Sequence, residues 1–561
     1  MTPDFTPAPA QEDETLVMPA PVAPQKVRSG GTASSTVAAG ILLSRIFGLV
    51  RERVLAQYFG TSLYGDVFRA GIRMPNVLQN LLGEGTLSAS FIPVYAELLE
   101  QGKKEEAGRV AGTVFSLLMT VAGALALFGI VFAPVMTDLF LPGFEGERRA
   151  LTIEITRIIF PMAGTLVLSA WALGILNSHR NFFIPYFAPV LWNVAIIASL
   201  YLFGGALSPD RLVVAAAWGA FVGGLLQFGI QLPWVLRLER KLRISWDTRL
   251  EPVREAVRNA GPAIMGRGVV QLSGYVDMVL ASFLVAGSVA TLGFAMTLYM
   301  LPVSLFGMSV ATAELPELAR KRLGTEVLRE RTSGALQRIA FYVVPSSVAF
   351  VALGDSIVAA LYESGEFDRS DTLWVYVTLV GYALGLLAST GARLFSSTYF
   401  ALRDTRTPAR YAAVRVAISA VLGLLLMLQF EGIAAGPVRI PAGIFSEARV
   451  AGHTLGVFGL TLGTGIAAWV EWWLLRRALR RRIGAVGAST GAVARMFLAA
   501  GVAAAAGWGV RWLLPELHPL LAAVFIFGAY GTVYFAAAAA LRIREMEGVR
   551  TRLAGLLRRF R

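Results

Sequence analysis

The sequence predicts an all-α polytopic membrane protein of about fourteen transmembrane helices: two pseudo-symmetric six-helix lobes around a central cationic cavity, with two extra C-terminal helices. Three observations carry this. Of 561 residues, 55% are hydrophobic and only 16% charged, with mean hydropathy +0.61. Apolar stretches of membrane length follow one another with short breaks. The chain also repeats itself weakly at a spacing near 225 residues: Ala56-Gln57-Tyr58-Phe59 aligns with Ala281-Ser282-Phe283-Leu284, and Leu176-Asn177-Ser178-His179-Arg180 with Leu402-Arg403-Asp404-Thr405-Arg406.

Residues 1–33 are Pro- and Ala-rich, carry Asp4, Glu12, Asp13 and Glu14, and have no signal-peptide core, so they read as a disordered cytoplasmic tail. The spans then fall at roughly 34–59, 63–97, 108–141, 149–177, 183–204, 210–237, 256–286, 289–320, 336–362, 372–402, 408–430, 450–476, 489–514 and 518–543. Residues 34–237 form the first lobe, 238–255 a cytoplasmic amphipathic linker, 256–480 the second lobe, 481–545 the last two helices and 546–561 a basic cytoplasmic tail. Alternate connections collect the cations, among them Lys103-Lys104, Arg237 to Arg258, Arg320 to Arg338 and Arg476 to Arg482. The others hold few, diluted by Glu145, Glu363, Glu366, Asp368 and Asp371. Both termini are therefore expected to be cytoplasmic, and because the same connections are basic in both halves the repeat is parallel.

The charges inside the first two spans carry the functional signal. Ser44-Arg45, Arg51, Glu52 and Arg53 interrupt an apolar helix, and Asp66, Arg69, Arg73, Asn76 and Asn80 recur at steps of three and four, on one helical face. A charge at mid-membrane costs about 2.5–3.5 kcal/mol on insertion scales, so such residues are usually kept for a cavity or a pair. Arg51 and Arg53 have the simpler alternative of snorkelling to headgroups. Partial neutralisation is expected between Arg45 and Glu52, two turns apart, and between Asp66 and Arg69. Pro75 and Gly83-Glu84-Gly85 predict a bent or interrupted helix lining a wet cavity that favours an anion. Asp277, in the seventh span, would bind a coupling Na⁺ or H⁺ or pair with Arg267. Arg157, Glu471 and Arg495 have no role readable from the sequence.

Several function classes drop out. There is no Cys, and the three His residues, His179, His453 and His518, are isolated, which argues against a zinc site, a disulfide or thiol chemistry. No phosphate-binding loop, G-x-S-x-G or zinc-protease motif is present, so no enzymatic activity and no cofactor is expected. The net charge of +14 lies in connections between spans rather than in a soluble basic domain, which argues against nucleic acid.

The motifs Ser44-Arg45 with Gly48 and Arg51, Phe59-Gly60, Arg73-Met74-Pro75-Asn76, Glu84-Gly85-Thr86-Leu87-Ser88, Phe91-Ile92-Pro93-Val94, Phe187-Ala188-Pro189, Ala311-Thr312-Ala313 and Asp404-Thr405-Arg406-Thr407-Pro408 resemble the MurJ (MviN) lipid II flippases. The resemblance covers about residues 34 to 545. It implies a 14-helix member of the MATE-like exporter superfamily in the bacterial inner membrane. Such a protein moves undecaprenyl-diphosphate-linked muropeptide (lipid II) to the outer leaflet by alternating access. Membrane lipids and cell-wall synthesis enzymes are the other partners it implies. Position by position, it makes Arg45 and Arg51 cavity arginines, Asp66 their acidic partner, and Arg73 and Arg393 further basic positions. The spans after Ala492 and from Phe525 to Phe535 would form a groove for the prenyl tail. Two departures stand out: Gln79-Asn80 replaces a usual arginine pair, and Met296-Thr297 a usual Asp-Arg. Arg69 and Arg267 are the expected compensation. The alternatives are a flippase for another polyprenyl-linked oligosaccharide and a non-transporting cell-wall scaffold. A drug exporter would want an acidic or apolar pocket, against this arginine-rich face.

Overall fold

A computed structural model describes residues 31–308, 310, 324–435, 438–515 and 517–548. The expected tails, for the most part, and the segment around Glu314 and Glu317 lie outside the described residues, as does the side chain of Arg267. The fold is a bundle of long helices. In the first half these are α1 (Gly31–Phe59), α2 (Leu63–Arg73), α3 (Asn76–Leu82), α4 (Glu84–Glu100), α5 (Lys104–Phe140), α6 (Gly146–Ser178), α7 (Phe183–Phe203), α8 (Pro209–Gly229) and α9 (Leu232–Leu238). The second half holds α10 (Glu251–Ser282), α11 (Ser288–Pro302) running into a π-turn (Val303–Met308), α12 (Thr325–Tyr362), α13 (Arg369–Leu384), α14 (Leu386–Ala401), α15 (Arg406–Phe430) and α16 (Gly456–Ile483), followed by α17 (Thr490–Leu513) and α18 (Pro519–Ala540).

Among the described residues ten helices are long and apolar enough to cross a membrane, and eleven with α13 and α14 taken as one span bent by 43° at Gly385. The remaining spans of the expected fourteen are α1, the α2–α4 run and α10, which carry charge or are broken. The second span is indeed interrupted. Pro75 has no amide hydrogen to continue the helix. Gly83 is extended, where a Cβ would lie 2.2 Å from the Gln79 carbonyl oxygen. The connection between α15 and α16 carries two short antiparallel pairs, Ile433–Ala435 with Val438–Ile440 and Arg449–Val450 with His453–Thr454.

Packing repeats between the halves. In the first, α1 lies along α7, α7 along α8, α6 along α5 and α8, and α2 along α6; in the second, α10 lies along α15, α15 along α16, α13 along α12 and α16, and α11 along α13. The last two helices pair with each other and rest on α12. One helix crosses over: α10 also packs on α4, and Val253 sits in the core of the first half.

Breaks in the helices are repaired by neighbours. Pro134 deprives the Ile130 carbonyl of its amide partner, and Arg157 Nε donates to that oxygen at 3.2 Å. Pro345 does the same to Phe341, whose carbonyl accepts from the Tyr534 hydroxyl at 2.6 Å. At Gly385 the freed Ala383 and Leu384 carbonyls accept from Ser347 (2.7 Å) and Trp469 (2.8 Å).

The halves meet tightly at the bundle end around the last turn of α1. The Glu366 amide donates to the Gln57 carbonyl (2.9 Å), Arg53 to the carbonyls of Ala360 and Leu361 (2.9 and 3.2 Å), and Thr61 to Asp371 through both its amide (3.2 Å) and its hydroxyl. Arg53 thus serves a contact between the halves rather than a headgroup. Gly287, at φ +93°, comes so close that a Cβ would sit 1.8 Å from the Thr61 carbonyl oxygen. No side chain fits there.

Candidate functional site

Between the halves lies a cavity of about 580 Å³. Ser44, Arg51, Glu52, Arg69, Arg73 and Asn76 line it from the first half, and Asp277, Met296 and Tyr382 from the second. Its charged lining is three guanidinium groups against two carboxylates. Glu52 is the hub: its two oxygens hold Arg51 Nη2 at 2.6 Å and Arg69 Nη2 at 2.7 Å. Arg51 Nη1 also donates to Asn193 Oδ1 (3.0 Å) and the group lies over the Trp192 ring (4.7 Å), while Arg69 lies over Phe294 (4.0 Å) and Arg73 over Tyr275 (5.6 Å). Flat aromatic faces and one shared carboxylate fix the guanidinium planes before any ligand arrives. Arg51 Nε is buried with no hydrogen-bond partner among the described residues. A buried donor of this kind is suited to an incoming anion.

The other expected residues scatter around this centre. Arg45 is exposed and donates to Ser304 Oγ (3.0 Å) in the π-turn of the opposite half, so it pairs across the halves rather than with Glu52. Asn80 lines a second cavity of about 510 Å³ that shares Gln79, Leu166, Pro189 and Gln227 with the first. Arg393 is exposed on α14 and is not among the described lining residues of either cavity. Asp277 lines the cavity. Its nearest described polar partner is Thr464 Oγ1 at 3.5 Å, and Arg415 and Arg73 act on it electrostatically; a pairing with Arg267 lies outside the described residues.

Asp66 requires a correction. It does not pair with Arg69 and does not line the cavity. Fully buried, it binds Arg148 Nη2 at 2.6 Å and accepts the backbone amides of Gly287 (2.7 Å) and Ala290 (2.6 Å), so it caps the first turn of α11 from the other half of the chain. Arg148 was not singled out in the sequence. Sequence reasoning also left Glu471 without a role, although Glu471 holds Arg415 at 3.1 Å within the spans α16 and α15. Asn193 and Trp192 were missed too, yet a polar residue inside an apolar span is a usable signal.

The signature of the family described as lipid II flippase MurJ matches residues 55–436, well over half of the chain. The chain belongs to the lipid II flippase MurJ family. It is 31% identical over 454 residues to a probable lipid II flippase MurJ of Rhizobium tropici, covering 79% of this chain and 82% of that one. A solved lipid II flippase MurJ in an inward closed conformation shares the fold with TM-score 0.72 at 23% identity, over 90% of this chain and 99% of the other. An inward-facing multidrug resistance MATE family transporter shares it with TM-score 0.60 at 19% identity, over 80% and 98%. Membership makes the chain a multi-pass protein of the bacterial inner membrane and a transporter by class. In this MurJ family member Arg51, Arg69 and Arg73 of the first two spans stand where the two halves enclose a cavity.

Proposed function

We propose that this chain carries lipid II from the cytoplasmic to the outer leaflet by alternating access. On this reading the two halves are lobes that rock about the cavity, the strand of chain at 238–255 links them, and both termini are cytoplasmic. The tightly joined end is then the outer gate, closed here, and the cavity is reached from the cytoplasmic side. The observation that carries the reading is the Arg51–Glu52–Arg69 cluster, with Arg73 beside it, formed between the first two spans. A diphosphate cannot cross hydrocarbon alone, and guanidinium groups bind it in bidentate fashion at low dielectric. Glu52 keeps the empty site from being a bare pair of cations. Arg69 supports the view that the anion site is kept despite Gln79-Asn80 and Met296-Thr297. The groove for the prenyl tail falls to α17 and α18, and the delivered precursor then meets the cell-wall synthesis enzymes at the outer leaflet.

The test is complementation of a bacterium depleted of its own lipid II flippase, with membrane insertion checked by immunoblot. Wild type should restore growth, while Arg51→Ala and Arg69→Ala, inserted at equal levels, should not. Growth with both arginines gone would overturn the assignment of the anion site, and failure of well-inserted wild type would overturn lipid II as the cargo.

A further inference from the structure

We propose that the second cavity is a subsite for the neutral saccharide that follows the diphosphate, an inference that rests on the lipid II reading above. Its polar walls are the amides of Gln79, Asn80 and Gln227 and the hydroxyls of Ser88 and Ser169. One carboxylate, Glu84, joins them, and no guanidinium or ammonium group is among its described lining residues. That composition is unlike the neighbouring cavity and does not suit a phosphate, which needs cations. It does not suit a hydrocarbon tail either, which would leave the amides unpaired.

The wall is built rather than incidental. Ser169, only 5% exposed, accepts from Gln231 Nε2 at 2.6 Å and from Gln227 Nε2 at 3.2 Å, and Gln231 Nε2 is held in turn by the Gln227 carbonyl at 2.8 Å. With both lone pairs of its oxygen engaged, the Ser169 hydroxyl retains its own hydrogen as a donor. Fixed amide and hydroxyl donors and acceptors, with no cation among them, are the complement of a ring bearing hydroxyl and acetamido groups. The volume of about 510 Å³ falls in the range of sites that enclose a small molecule.

Position gives the second, independent argument. In a lipid-linked diphosphate the first sugar is bonded to the outer phosphate, so its site must adjoin the anion site, and the two cavities share a wall. Along α2 to α4 the polar lining runs Arg69, Arg73, Asn76, Gln79, Asn80, Glu84, Ser88: cations first, then amides, with one carboxylate before the hydroxyl. The order matches phosphate followed by sugar.

The experiment compares binding of lipid II and of sugar-free undecaprenyl diphosphate to the purified full-length protein in nanodiscs, for wild type, Asn80→Leu and Ser88→Val. Thermal unfolding checks that each variant is folded. Wild type should prefer lipid II by about tenfold or more, as sites that hydrogen-bond a substrate hydroxyl do. The variants should lose that preference while binding undecaprenyl diphosphate as wild type does. Folded variants that keep the preference, or that lose both ligands equally, overturn the subsite. So does a wild type that binds the two ligands equally tightly, which leaves the flippase reading standing. Wild type that binds neither ligand instead overturns the flippase reading, and the subsite with it.

Discussion

The division of labour between Asp66 and Arg69 shows how much a single helical step decides. Three residues along a helix is a rotation about 60° short of a full turn, so the polar stripe of α2 has two edges facing different neighbours. Arg69, on one edge, reaches the cavity and Glu52. Asp66, on the other, is swallowed by α11 and Arg148. Removing the Asp66 charge leaves a buried guanidinium alone, a loss of about 3–5 kcal/mol for a fully buried pair. Asp66→Asn should therefore lower the thermal unfolding midpoint strongly, and Arg148→Gln added to it should cost little more. An additive double mutant in thermal unfolding would show that the two do not act as a unit. A second residue-scale prediction concerns His453, in the connection between α15 and α16. Its ring stacks on Trp374 at 4.2 Å, with Nε2 3.3 Å from Ser370 Oγ and 3.9 Å from Asp371. Burial holds the imidazole below its ordinary range, against the opposing pull of Asp371 and Asp368. A histidine with a depressed folded pKa contributes stability above its unfolded value, near about 6.5, and loses it as the pH falls below that. The unfolding midpoint should drop from pH 7 to pH 5, and His453→Asn should flatten part of that slope. An identical slope in the variant would remove His453 from the pH response.

Elements in this protein are long because the membrane demands length, and they are broken where function or packing demands a bend. Each break frees a carbonyl that lipid cannot satisfy, and a neighbouring side chain takes it. Tyr534 does so for Phe341, Trp469 for Leu384 and Arg157 for Ile130. The break at Pro75 and Gly83 was readable in the sequence. The partners that repair the other breaks were not, because Tyr534 lies 193 positions from Phe341 and no local pattern links them. Tyr534→Phe keeps the ring and its packing but strands the carbonyl, so it should destabilise by about 1–3 kcal/mol, seen as a lower unfolding midpoint. An unchanged midpoint would mean that the Phe341 oxygen finds another donor.

At the scale of the molecule, the packing repeated between the halves and the clasp at one end set the mechanical problem. Opening that end means breaking backbone-level contacts at Gln57–Glu366, Thr61–Asp371 and Asp66 with α11. The chain has no Cys, so thiols introduced there would be the only ones present. Thr61→Cys with Asp371→Cys should cross-link under mild oxidation, and cells relying on this protein should stop growing until a reductant is added. Continued growth with the cross-link complete would show that this end does not need to open during transport.

By itself the sequence determined the membrane class, the succession of spans, the family and the presence of arginines where lipid should be. The family follows from the resemblance of its motifs; the rest follow from local composition or periodicity, which the bilayer converts directly into structure. Only the tertiary structure decided which charges meet. Asp66 with α11, Arg51 with Asn193, Arg45 with Ser304 and Arg415 with Glu471 join positions 56 to 259 residues apart. Whether a cation faces a cavity or a buried carboxylate depends on how helices distant in the chain pack against each other, and helical spacing carries no record of that.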